Sequence, residues 1–121
     1  MHPPSDLSTA RVIVTGAGAG LGRAYCLDLA NAGVGGLLVN DINGKNAEAV
    51  ASEIRILSPK TKVGVNTSSI APESGGAPDG AAKIVEDCMR YLGGPPTGLV
   101  NNAGVSEQRR SGDERRWSCR L

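Results

Sequence analysis

The chain has 121 residues, a length that suits one domain, and its 40% hydrophobic and 21% charged content is that of a globular protein rather than a disordered or membrane-spanning one. A formal net charge of +1 supplies no field for a nucleic-acid or anionic-membrane partner, and three cysteines (Cys26, Cys88, Cys119) without paired spacing indicate neither a disulfide framework nor a metal site. With 17 Gly, no Phe and 2% aromatic residues, any core must be aliphatic, which suits helices lying close on a sheet.

In chain order, residues 1–10 form a polar leader with no basic and apolar signal pattern. Arg11–Val14 is a β-branched run, followed by a glycine loop and a helix over Leu21–Ala32 that Gly33 closes. Gly36–Asn40 is a second strand ending at Asp41. Asn43-Gly44 opens an amphipathic helix with Ala47, Val50, Ile54 and Leu57 on one face, which stops before Pro59. Lys62–Val65 reads as a third strand. Ser68–Gly80 is a loop rich in Ser, Gly and Pro, and Asp79 is the expected N-cap of a third helix to Leu92, with Ala82, Ile84, Val85, Cys88, Met89 and Leu92 as its apolar surface. Gly98–Asn101 is the fourth strand. Residues 105–121 hold five Arg against three acids and no periodicity, so they read as a polar, Arg-rich, disordered tail. Strands alternating with helices, each strand a short apolar run, predict parallel βαβ units covered on both faces.

Chemistry enters at the strand ends. Thr15-Gly16-Ala17-Gly18-Ala19-Gly20-Leu21-Gly22 lies where the first strand hands over to the first helix. Glycines there permit a tight turn and close approach to a pyrophosphate, while free N–H groups of the helix start face the anion. The common GxGxxG spacing fails from both Gly16 and Gly18, and no Gly-Lys-Ser/Thr is present for a Walker loop. Taken alone, the loop also fits a plain tight βα turn. Asp41, nineteen residues beyond Gly22, stands where a dinucleotide fold places the carboxylate for the adenosine ribose. It reads equally well as a turn former ahead of Asn43-Gly44. Asn101-Asn102-Ala103-Gly104, at the end of the fourth strand, is by itself an ordinary turn.

Taken together, the Thr-Gly-x-x-x-Gly-x-Gly spacing of Thr15–Gly22, Asp41 and the Asn-Asn-Ala-Gly turn resemble the short-chain dehydrogenase/reductase family over Arg11–Gly104. The resemblance implies an α/β fold, a Rossmann-type doubly wound parallel sheet truncated after about four strands in the order 3-2-1-4. It implies an NAD(P)-binding half-domain over 11–104, acting in the full family pattern on an alcohol or carbonyl. The cofactor-binding residues carried over are Thr15, Gly16, Gly18, Ala19, Gly20, Leu21, Gly22, Asp41, Asn101, Ala103 and Gly104. Asn66 joins them at a position where the family usually has Asp. A carboxylate at Asp41, with no basic neighbour at Ile42 or Asn43, favours NAD over NADP.

The family's catalytic Ser and Tyr-x-x-x-Lys are not found. Tyr25 and Tyr91 are followed four places on by Leu29 and Pro95, and both read as packing residues. A phenol needs the ammonium one helical turn away to hold its proton partner, so no catalytic residue is assigned and a truncated, non-catalytic form is expected. The alternative is a nucleotide-binding module or a partner of a full-length homologue. A sheet stopping at strand four would leave an apolar edge open to self-association and a marginally stable fold. The Arg109-Arg110 and Arg115-Arg116 pairs read as a solvated tail rather than a nucleic-acid patch. No membrane partner is expected, and the cytoplasm is the expected location. The peroxisome is the alternative, because Val39-Asn40-Asp41 resembles the dehydrogenase portion of peroxisomal multifunctional β-oxidation enzymes, although Ser118-Cys119-Arg120-Leu121 is not a clear Ser-Lys-Leu address.

Overall fold

The computed structural model describes residues 6–69 and 80–102. Leu7–Thr9 forms a single 3-10 turn, then β1 (Arg11–Thr15), α1 (Gly20–Asn31), β2 (Gly36–Asn40), α2 (Gly44–Leu57), β3 (Lys62–Asn66), α3 (Gly80–Leu92) and β4 (Gly98–Val100) alternate along the chain. All pairings are parallel, and the strand order is β3-β2-β1-β4. This is the doubly wound, Rossmann-type arrangement expected from the sequence. Strand order reverses after β3, and the crevice above the carboxyl ends of β1 and β4 is the switch point where such sheets bind ligands.

Strand pleating divides the core. Val12, Val14, Leu37 and Val39 face α1 and α2, where Cys26, Ala30, Ala47, Val50, Ala51 and Ile54 complete the larger cluster. Ile13 and Leu38 face the other way and meet Ile84, Cys88 and Leu92 of α3. Successive side chains of a strand point to opposite faces, so an unbroken apolar run serves two layers of helix. The Cys26 thiol, buried in the first layer, has its pKa pushed up to about 12 by desolvation.

Local chemistry sets the helix ends. α1 terminates in a Schellman motif: Gly33 at φ 85° donates to Ala30 O and Val34 donates to Leu29 O. α2 starts at Asn43, whose side chain accepts the Asn46 N–H at 3.0 Å. The leader's last residues belong to the fold, with Leu7 packed against the larger cluster and its carbonyl accepting Gly35 N–H at 2.8 Å. The expected cap Asp79 and the tail 105–121 lie outside the described residues.

Two expectations about packing change. Leu57 is exposed at the end of α2, and Ala51 takes its place on the buried face. On α3, Val85 and Met89 are exposed while Asp87 is buried. α3 covers β3 and β2 far more than β1, so the apolar side of α3 nearest β4 meets no helix among the described residues. Leu99 of β4, paired beside the buried Ile13, is 62% exposed for the same reason. Tyr91 packs on one side only: it is 45% exposed, yet a Cβ on Gly64 would meet its Cβ at 2.6 Å and its ring at 2.7 Å, so glycine lets this side chain approach β3. Tyr25 is 39% exposed on α1.

Candidate functional site

The carboxyl ends of β1, β2 and β4 converge on the glycine loop. Gly16 (φ 62°) and Gly20 (φ 59°) turn the chain in the left-handed region that L side chains avoid. Gly22 is required by proximity: a Cβ there would sit 2.0 Å from the carbonyl oxygen of Gly16. This is the close packing of the first helical turn against the loop. Gly18 has Asp41 Oδ2 and Asn46 Cβ each 2.7 Å from its would-be Cβ. Ala17 is buried, and its N–H donates to Asn40 O at 2.9 Å, tying the loop to the end of β2.

Ala19 occupies the N-cap position of α1 with extended dihedrals and a side chain that cannot cap. Ala19, Gly20 and Leu21 are exposed. The first turn therefore presents its backbone N–H groups and the positive end of its dipole to the crevice, the arrangement that binds a phosphate.

Asp41 stands beside this turn, its carboxylate fixed by two backbone donors: Gly18 N–H to Oδ2 at 2.8 Å and Asn43 N–H to Oδ1 at 2.9 Å. The side chain is half-buried, and a carboxylate has more acceptor positions than these two bonds use. The turn-former reading of Asp41 is met by these two bonds, and the residue also stands at the crevice beside the glycine loop.

The turn after β4 clamps the loop from the other side. Thr15 Oγ1 accepts Asn102 N–H at 2.9 Å and lies within hydrogen-bonding distance of Val100 O and Asn101 Oδ1. Asn102 Nδ2 donates to Gly16 O at 3.1 Å. Within the Asn-Asn pair the work is divided: Asn101 is exposed at the crevice, while Asn102 performs the anchoring. Ala103 and Gly104 lie outside the described residues.

Asn66 is brought near the site but is not presented to it. It is 3% exposed, and its carboxamide is spent internally, with Oδ1 accepting Asn40 Nδ2 at 2.7 Å and Ser68 N–H at 2.9 Å, and Nδ2 donating to Asp87 Oδ2 at 2.8 Å. Farther from the crevice, Arg23 of α1 grips Glu53 of α2 with two hydrogen bonds, of 2.9 and 2.5 Å. The pairing lowers the pKa of Glu53 and raises that of Arg23.

Comparison with known proteins agrees with this fold. The family model described as short chain dehydrogenase matches residues 10–118. A putative short-chain type dehydrogenase/reductase of Mycobacterium tuberculosis is 37% identical over 78% of this chain and 33% of its own length. A peroxisomal multifunctional enzyme of Dictyostelium discoideum is 34% identical over 78% of this chain and 21% of its own. Among solved structures, a hydroxysteroid dehydrogenase from Escherichia coli superposes with a TM-score of 0.67 at 30% identity, covering 82% of this chain and 38% of that one. The chain thus spans about a third of the length of these two relatives. With the glycine loop, the acid after β2 and the Asn-Asn turn all on the matched fold, the chain belongs to the short chain dehydrogenase family.

Proposed function

We propose that this stretch of chain is the dinucleotide-binding half of a short-chain oxidoreductase acting on an alcohol or carbonyl, and that it prefers NAD to NADP. The observation that carries the reading is the uncapped, exposed start of α1 lying directly beside an acid held by the same loop's Gly18 N–H. Backbone N–H groups from Ala19 to Gly22 would take the pyrophosphate, and Asp41 would accept the hydroxyls of the adenosine ribose. Asn101 and the turn through Ala103 and Gly104 would border that ribose. A 2′-phosphate would meet the Asp41 carboxylate, and like charges there disfavour it. When bound, the nicotinamide gives or takes the hydride. These residues contribute only orientation and charge, and the proton-transfer step is not assigned to this stretch, which carries no Tyr-x-x-x-Lys.

The alternative role, a nucleotide-binding module or partner of a full-length homologue, draws support from β4. Its outer edge is unpaired among the described residues and Leu99 is exposed beside it, so self-association along that edge belongs to the proposal. No helix among the described residues is long and apolar enough to cross a membrane. The cytoplasm is proposed as the location, with the peroxisome as alternative because several relatives carry that word in their names.

Calorimetric titration with NAD and NADP tests the reading. Saturable NAD binding, weaker NADP binding and a loss of about tenfold or more in NAD affinity for Asp41→Ala are expected, the scale of hydrogen bonds to a charged acceptor. Unchanged NAD affinity in Asp41→Ala would overturn the ribose assignment. No binding of either dinucleotide by the folded protein would overturn the reading as a whole.

A further inference from the structure

Asp87 breaks the pattern of α3. It lies among Ile84, Cys88 and Leu92 on the buried face, 7% exposed, while Val85 and Met89 of the same helix are left in solvent. A buried carboxylate is costly unless its hydrogen bonds are made, so an acid at this position needs a reason. Its Oδ2 accepts Asn66 Nδ2 at 2.8 Å and its Oδ1 stands 3.7 Å from Lys83 Nζ on the preceding turn.

From Asn66 the hydrogen bonds lead to the site. Asn66 Oδ1 takes the amide of Asn40 and the N–H of Ser68, and Asn66 O takes the Asp41 N–H at 3.1 Å. Asn40 Nδ2 also reaches Ser68 O at 2.9 Å, and Asn40 O receives the Ala17 N–H of the glycine loop. A carboxamide buried with its donor unsatisfied would be free to turn over, which would offer an N–H to groups that are themselves donors. The Asp87 carboxylate accepts only, and so admits a single orientation of Asn66. We propose that Asp87 and Asn66 are positioning residues for the adenosine end of the dinucleotide site: Asp87 orients Asn66, and Asn66 fixes the ends of β2 and β3 from which Asp41 and the glycine loop are held.

The proposal rests on the dinucleotide reading only for its effect on affinity. The positioning itself can be read without ligand, from amide hydrogen exchange on the whole chain. Asp87→Leu fills the site but leaves the Asn66 donor unpaired; the Asp41 and Ala17 amides should then exchange at least tenfold faster, with the Ile13 and Leu38 amides of the sheet unchanged. NAD affinity should fall about tenfold. Asp87→Asn can still present an oxygen to Asn66 and should stay within twofold of the parent in both readouts. Unchanged Asp41 and Ala17 exchange in Asp87→Leu, or equal acceleration across the sheet, would overturn the proposal, the latter marking Asp87 as structural only.

Should Asp87→Leu fail to fold, the reciprocal exchange decides. Asn66→Asp sets two carboxylates face to face and should lose Asp41 protection, and adding Asp87→Asn restores a donor and an acceptor with their places reversed. Recovery in the double variant supports the proposal; no loss in Asn66→Asp, or no recovery, overturns it. A parent protein whose Asp41 amide is protected but which binds neither NAD nor NADP would refute the dinucleotide reading alone.

Discussion

α1 and α2 both start at the carboxyl edge of the sheet, and the two starts are built in opposite ways. At α2 the chain closes its own helix: Asn43 accepts the Asn46 N–H, and Asp41 takes the Asn43 N–H just before it. At α1 the N-cap position holds Ala19, with no side-chain acceptor, and the approach is made of glycines at positive φ. A cap contributes about 1 kcal/mol, so leaving α1 without one sacrifices stability at the place where a ligand can supply the acceptor instead. On the proposed dinucleotide reading, the difference separates a helix end that serves the fold from one that serves the ligand.

The comparison can be broken most severely at Gly22. Replacing it with Ala puts a methyl against the Gly16 carbonyl, a backbone group that cannot swing aside as a side chain could. The expected cost is about 3 kcal/mol in urea unfolding, together with loss of NAD binding. A stability change below about 1 kcal/mol would mean that the loop relaxes away from α1 without penalty.

Giving α1 the cap it lacks should separate the two roles. Ala19→Asp, at a residue whose extended dihedrals already suit an N-cap, should raise stability by about 1 kcal/mol and lower NAD affinity at least tenfold, since the carboxylate occupies and repels the pyrophosphate position. The matching change at α2, Asn43→Ala, should lower stability by about 1 kcal/mol and leave NAD affinity within about twofold. If both substitutions moved stability and affinity in the same direction, the distinction between the two helix starts would fail.

The smallest effect is expected between the helices, at Arg23 and Glu53. Both side chains are more than 40% exposed, and solvent screens the pair. Because the folded-state pKa of Glu53 is lowered, its contribution is present above the unfolded carboxylate pKa and fades as pH falls through the folded value. Glu53→Gln should therefore change the melting temperature by no more than a degree or two at neutral pH, and the change should vanish at acid pH and in high salt.

Much of this was legible in the chain. The β2 boundaries Gly36–Asn40 follow from an apolar run between Gly35 and Asp41, and Gly33 marks the end of α1 because a Schellman turn needs a residue tolerant of positive φ. The glycine spacing located the loop, and Asp41 was recognisable from its place after β2. Asn102 was less legible, since an Asn-Asn pair does not reveal which amide turns back onto Gly16. Asp87 was hidden altogether: helical periodicity groups Val85 and Met89 with Ile84 and Cys88 as apolar surface, and an acid among them reads as solvent-facing.

By itself, then, the sequence determined the alternation of strands and helices, the position of the turn that can approach a phosphate, and the sign of the charge after β2. These depend on local dihedral freedom and on the period of apolar residues, which neighbouring positions encode. Only the tertiary structure decided which polar groups were spent on the fold and which stand at the carboxyl edge of the sheet. Asn66 turns inward to Asp87, Asn102 grips Gly16, and Asp41 takes the Gly18 N–H of the glycine loop. Those assignments join residues 21 to 86 positions apart in sequence, across strands whose register is set by sheet packing rather than by local propensity.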